Sequence, residues 1–175
     1  MRRLSLAATV ALATSALAQT APTDLARDKS LCANADGGAR PEIRVSACTR
    51  RLGSRDLSAD DRSETLLNLA WSLSLEGRMS EARADYENAL DLTPSSHVAH
   101  NEMGLFLLRL GDFDGAIAQY NTALKLRPGA AYSLYGRGIA YLRKGETQRG
   151  EEDIAEARSA DHGVDAVFKE IGVRP

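Results

Sequence analysis

His97 and His100 are the pair whose type and spacing come nearest to chemistry. At i, i+3 on the start of an expected helix, two imidazoles could share a metal ion. No cysteine or third histidine stands near them, so packing and a helix-end position account for the pair. His162 has no evident partner. Cys32 and Cys48 are the only cysteines. They lack the Cys-x-x-Cys spacing of a redox pair and the further ligands of a metal site. An even count in an oxidising compartment reads as a disulfide. The loop they would close is one for which chain-entropy estimates give about 3 kcal/mol. Glu151, Glu152, Asp153 and Glu156 form an acidic cluster. It reads as a solvated helix face, with a basic partner surface as the alternative. There is no Gly-rich phosphate loop, G-x-S-x-G or H-E-x-x-H. No nucleophile–base pair is evident. The chain is therefore expected to be non-enzymatic, with no catalytic residue, metal or cofactor.

The ends bear on compartment. Arg2 and Arg3 precede an uncharged run from Leu4 to Leu17, and Ala16-Leu17-Ala18 offers a small-x-small cleavage site before Gln19. Residues 1–18 read as a secretory signal peptide of bacterial type. The apolar run is short for spanning a bilayer. Loss of this segment with its two arginines moves the formal net charge from −2 to −4. A mildly acidic mature chain is a poor match for nucleic acid or anionic membranes, which need clustered Lys and Arg. No membrane insertion is expected after cleavage. The expected location is the periplasm or the exterior, where Cys32 and Cys48 would pair.

The elements that must position any site follow from a period. Gly77, Gly111 and Gly145 lie 34 residues apart in similar surroundings: GRMSEARADYENALDLTP, GDFDGAIAQYNTALKLRP and GETQRGEEDIAEARSADH. A fixed period of this length means stacked helical hairpins. The hairpins are expected at 63–96, 97–130 and 131–164. Residues 19–62 precede them as an N-terminal cap region. Within it, 19–40 read as an irregular lead-in. A helix follows over about 41–52, with Pro41 in its first turn and Ile43, Ala47, Cys48 and Leu52 as its apolar stripe. Residues 53–62 read as a connection. Ser95-Ser96 and Asp60-Asp61 suit helix starts. Small residues mark close helix crossings: Ala70, Gly104 and Gly138 against Ala82, Ala116 and Gly150. Tyr86, Tyr120 and Ile154 fill the gap to the next unit. Val164, Val167, Phe168 and Ile171 predict a capping helix over about 165–171 within the tail 165–175, and Gly172 suits its stop.

These residues resemble the tetratricopeptide repeat, whose consensus places are met by Leu66, Leu69, Ala70, Gly77, Ala82, Tyr86, Ala89 and Pro94 in the first unit. The second unit keeps the pattern. The third departs at Arg137, which stands for Leu, and at His162, which stands for Pro. The resemblance implies an all-α, right-handed superhelical solenoid of three helix–turn–helix units with capping helices at both ends. It implies a concave face lined by the leading helices. The places carried over are Glu64, Leu67, Trp71, Ser74 and Leu75, then Val98, Asn101, Leu105, Leu108 and Arg109, then Tyr132, Tyr135, Ile139, Leu142 and Arg143. Leu105, Ile139 and Leu142 read as packing. Leu67, Trp71, Leu75, Asn101, Leu108, Arg109, Tyr132, Tyr135 and Arg143 read as a partner-binding groove, since aromatic and Arg side chains make good anchors. One sub-class of the family clamps a partner's C-terminal carboxylates with Lys, Asn and Arg; Leu67 and Trp71 stand where its first polar donors would be. The expected function is protein or peptide binding as an adaptor or assembly factor of the cell envelope, by a monomer or weak homo-oligomer. The alternatives are an accessory subunit of an envelope enzyme complex and a self-associating structural module.

Overall fold

The three periodic glycines adopt φ of 78°, 80° and 82°, a left-handed conformation that costs a residue without Cβ little. After each, the next backbone N–H reaches back across the turn: Arg78 to Leu73 O, Asp112 to Leu107 O and Glu146 to Tyr141 O, at 2.9–3.0 Å. The same closure thus ends three helices and fixes the angle at which three more begin.

The computed structural model describes residues 22–34 and 37–175; the expected signal, 1–18, lies outside the described residues. The described helices are α1 (Pro22–Ala33), α2 (Pro41–Leu52), α3 (Ala59–Leu75), α4 (Met79–Leu92), α5 (His97–Leu110), α6 (Phe113–Leu126), α7 (Ala131–Arg143), α8 (Thr147–Ala160) and α9 (Val164–Glu170). Helices α3–α4, α5–α6 and α7–α8 form the three expected hairpins, and the leading helices α3, α5 and α7 touch in series. Ala70, Ala82 and Ala116 are fully buried at the crossings. A Cβ placed on Gly138 would lie 2.8 Å from both the Gly150 carbonyl oxygen and Ile154 Cγ1, so the third crossing admits nothing larger than glycine. Tyr86 and Tyr120 are fully buried between units, as expected.

The N-terminal region departs from its sequence reading. Residues 22–33 are not an irregular lead-in but a helix, which packs along α2 and also touches α3. Helices α1 and α2 thus form a further hairpin. The helix is hard to read because an inward place is polar: Asp28 is 5% exposed and receives a bidentate pair from Arg50 at 3.0 and 2.6 Å. Asn34, at φ 54°, turns the chain after α1 and its Oδ1 accepts from Ala39 N at 2.9 Å. Cys32 and Cys48 form a disulfide with Cα atoms 4.9 Å apart, and both are buried. It joins helix to helix.

Helix α2 has the expected bounds but a different inner face. Ile43 is exposed, while Arg44 and Arg51 are buried beside Ala47 and Cys48. Arg51 donates from Nε to Thr65 Oγ1 and from Nη2 to Asp61 Oδ1, both at 2.9 Å, which ties α2 to α3. Helix α3 starts at Ala59, four residues before the expected repeat boundary, because Ser58 caps it by accepting from Asp61 N at 3.0 Å. The connection is accordingly shorter than 53–62. Ser96 caps α5 through Ala99 N as expected.

The third hairpin explains its own irregularity. Arg137 donates from Nε and Nη2 to both carboxylate oxygens of Asp153 and from Nη1 to Asn121 Oδ1, all at 2.7 Å. One guanidinium therefore joins α7 to α8 and to the preceding α6. Asp153 is buried, so it leaves the acidic cluster; Glu151, Glu152 and Glu156 are exposed as expected. His162 donates from Nδ1 to Arg158 O at 2.7 Å, closing α8 where a proline would otherwise do so. Breaking a buried pair leaves the surviving charge uncompensated. Arg137→Leu, although it restores the consensus residue, should therefore lower stability by about 2–4 kcal/mol in urea unfolding. Adding Asp153→Leu should recover most of that loss; a single variant as stable as the parent would show that the pair contributes nothing.

Candidate binding groove

The leading helices turn one face inward and line a groove of about 590 Å³. Glu64, Leu67, Asn68 and Trp71 come from α3, Val98, Asn101, Glu102 and Leu105 from α5, and Tyr132 from α7. Spacing of three and four residues puts each set on one side of its helix. Ala33 of α1 closes one end, and Val167, Phe168 and Ile171 from α9 and the residue after it close the other. A second hollow of about 530 Å³ lies at the C-terminal ends of α5 and α7, where Leu108, Arg109, Ile139 and Arg143 meet Ile171, Gly172 and Val173.

The expected groove residues divide between these places. Leu67 forms floor at 9% exposure, Trp71 is half-buried, and Tyr132 is exposed at 44%. Asn101 is half-buried; its Oδ1 accepts from Ser133 Oγ at 2.9 Å and its Nδ2 contacts Glu102 Oε1 at 3.4 Å. The Arg109 guanidinium lies over the Trp71 ring, 4.8 Å from its centroid, and bridges the two hollows. Leu108 is buried in the floor of the second hollow. Arg143 is exposed and donates from Nη2 to Arg174 O at 3.2 Å, so the chain's own tail engages it. Leu75 is exposed and lines neither hollow. Leu105 and Ile139 are buried, consistent with packing.

Tyr135 is not a groove anchor. It is 2% exposed, with its ring 4.6 Å from that of Phe168, and its hydroxyl donates to Asp165 Oδ1. Burial first, and then the hydrogen bond to Asp165, push its phenol up to about 12. The place that faces a ligand in an inner unit is covered here by the cap. Asp165 also accepts from Arg158 Nε at 2.8 Å and Nη2 at 2.9 Å. Arg158, with Tyr135 second, holds its carboxyl below the ordinary value of 3.8. Helix α9 is thus clamped to α7 by Tyr135 and to α8 by Arg158.

Two groove residues of the leading helices were absent from the sequence reading, Asn68 and Glu102. Both occupy the sixth place of their unit, and a polar residue recurring at that place was the available signal. The equivalent in the third unit is Gly136, where any Cβ would collide with the Tyr120 ring. Glu102 is half-buried, and burial raises its carboxyl above the ordinary range. The two histidines first weighed as metal ligands part company. His100 sits between Gln119 Oε1 at 2.8 Å and Pro94 O at 3.1 Å, while His97 meets Arg127 Nη1 at 3.1 Å. Among the described residues no group of three or more metal-binding side chains occurs. No described helix is long and apolar enough to cross a membrane.

Residues 63–96 match a family described as tetratricopeptide repeat, and residues 107–145 match one described as TPR repeat. The fold is shared with solved structures at low identity. MamA 41-end from Desulfovibrio magneticus RS-1 aligns at TM-score 0.65 with 18% identity, over 85% of this chain and 82% of that one. YrrB, titled a TPR protein with an unusual peptide-binding site, aligns at 0.59 with 19% identity, over 74% and 66%. The first TPR of Spaghetti (RPAP3), bound to the HSP90 peptide SRMEEVD, aligns at 0.56 with 15% identity, over 68% and 99%.

The clamp on α9 has a testable pH dependence. A carboxylate whose folded value is depressed contributes stability that is present above its unfolded value and lost as pH falls through the folded one. The Asp165 contribution is complete above about pH 3.8 and fades below it. Asp165→Asn at neutral pH should speed amide exchange in α9 by roughly two- to fivefold, the range for exposed ion pairs, with α3–α6 unaffected. Equal exchange in the variant and parent would remove Asp165 from the docking of α9.

Proposed function

Because the chain is a tetratricopeptide-repeat protein, we propose that it is a non-enzymatic adaptor or assembly factor of the bacterial cell envelope whose concave groove holds a peptide segment of another protein. The observation that carries this is the groove itself. About 590 Å³ of open space is lined by Leu67, Leu105, Trp71 and Tyr132, with Asn101 supplying a directional polar group and the Arg109 guanidinium stacked on the Trp71 ring. Aromatic rings and arginine give large contact area together with fixed geometry, which is what an anchor for a peptide needs. The peptide-binding site named for YrrB and the peptide complex named for RPAP3 support the reading by likeness of fold. Leu67 and Trp71 again argue against a clamp for C-terminal carboxylates.

Export fits the same reading. The charged start, apolar run and Ala16-Leu17-Ala18 site of residues 1–18 suit secretion, and a buried disulfide suits an oxidising space. Protein recovered from the periplasm should have the intact mass of residues 19–175 less two hydrogens. A cytoplasmic product of full mass would defeat the export reading.

Tyr132→Ala removes an exposed ring, and Trp71→Ala removes a half-buried one at a cost of about 2 kcal/mol in stability. Both should weaken capture of the periplasmic partner at least tenfold, as expected of anchor residues, with helicity retained. Full capture by the Tyr132 variant would count against the groove as the docking surface.

A further inference from the structure

The groove is not electrically neutral. Its lining includes two carboxylates, Glu64 and Glu102, and no lysine, arginine or histidine. Glu64 is exposed at the rim and Glu102 is half-buried in the wall. Among the described residues the two buried carboxylates are met by arginine: Asp28 by Arg50 and Asp153 by Arg137, both bidentate. Glu102 forms no ion pair among the described residues and receives only the 3.4 Å contact from Asn101 Nδ2. Its carboxyl is also reachable from a neighbouring hollow of about 400 Å³ that shares Val98, Asn101 and Tyr132 with the groove. Trp71 and Tyr132 line the same groove, and their ring faces attract cations. The Trp71 ring already carries the Arg109 guanidinium on one side.

We propose that the groove selects a peptide bearing a lysine or arginine among apolar residues, with the cationic head meeting Glu102 between Trp71 and Tyr132 and with Glu64 at the rim as a second counter-charge. The proposal rests on the groove being a peptide site and adds the charge of its occupant. A carboxylate partly withdrawn from water with no ion-pair partner is unfavourable, and an incoming ammonium or guanidinium relieves it where a neutral side chain does not. Burial raises the Glu102 carboxyl, and a cation beside it would offset that effect. Leu67, Leu105, Val167 and Phe168 meet the aliphatic stem and the neighbouring residues. The polarity is opposite to that of SRMEEVD, the acidic peptide held by the RPAP3 repeat.

Trp71 is the sole tryptophan, so its emission reports on this groove alone. The mature protein is titrated with acetylated, amidated peptides of one Leu/Ser frame that differ only in a central lysine, glutamine or glutamate. The lysine peptide should shift Trp71 emission with a Kd roughly ten- to hundredfold below that of the glutamine peptide, the range for a charge-assisted contact. The glutamate peptide should bind more weakly than either. Glu102→Gln, isosteric and checked for unchanged helicity, should bring the lysine peptide to the affinity of the glutamine peptide. Glu64→Gln should cost the lysine peptide about two- to threefold, as a rim charge does. Equal binding of all three peptides, or an unchanged lysine affinity in Glu102→Gln, would overturn the charge proposal and leave the groove as a peptide site. Silence of Trp71 toward every peptide would overturn both.

Discussion

No hairpin in this stack can bury its apolar face by itself, and the rest of the structure answers to that constraint. Inner faces are covered by the next unit, through Tyr86 and Tyr120. The two outer faces have no next unit and need other cover. At one end α1 and α2 supply it, joined by a buried disulfide and by Arg50 on Asp28. At the other, seven residues of α9 supply it, too few to hold a helix by propensity and therefore dependent on docking. Phe168 and Val164 give α9 its apolar contact, and Asp165 gives it a fixed position between Tyr135 and Arg158.

The groove is a by-product of these covers as much as of the repeats. Three leading helices alone would make an open trough. Ala33 at one end and Val167, Phe168 and Ile171 at the other turn it into a bounded site. The chain between Ile171 and Arg174 then runs past Leu108, Arg109 and Arg143, so the C-terminal ends of the leading helices face the protein's own tail. Of the residues at concave places, Glu64, Leu67, Trp71, Val98, Asn101, Leu105 and Tyr132 are left to line the open groove.

Much of this was legible in the sequence where each place has one physical meaning. Gly77, Gly111 and Gly145 had to be left-handed stops, and Gly138 against Gly150 had to be a close crossing. Pro41 and Leu52 bounded α2. The failures share a cause: polar residues whose partners lie far along the chain. Asp28 broke the stripe of α1 because its partner, Arg50, is 22 positions away. Arg44 and Arg51 broke the stripe of α2 for want of Cys32 O, Thr65 and Asp61. Asp153 looked solvated until Arg137 was set beside it. Tyr135 failed differently. Its consensus place is concave, but a consensus describes an inner unit, and the unit after this one is a cap.

Helix α9 belongs to two structures at once, as the lid of the third hairpin and as a wall of the groove. That double membership makes fastening and recognition reciprocal. Any occupant that touches Phe168 or Ile171 would favour the docked position of α9, and whatever lowers the docked fraction of α9 would lower the apparent affinity for that occupant by the same factor. The Tyr135–Asp165–Arg158 cluster lies outside the groove lining, yet through α9 it is coupled to whatever the groove would hold.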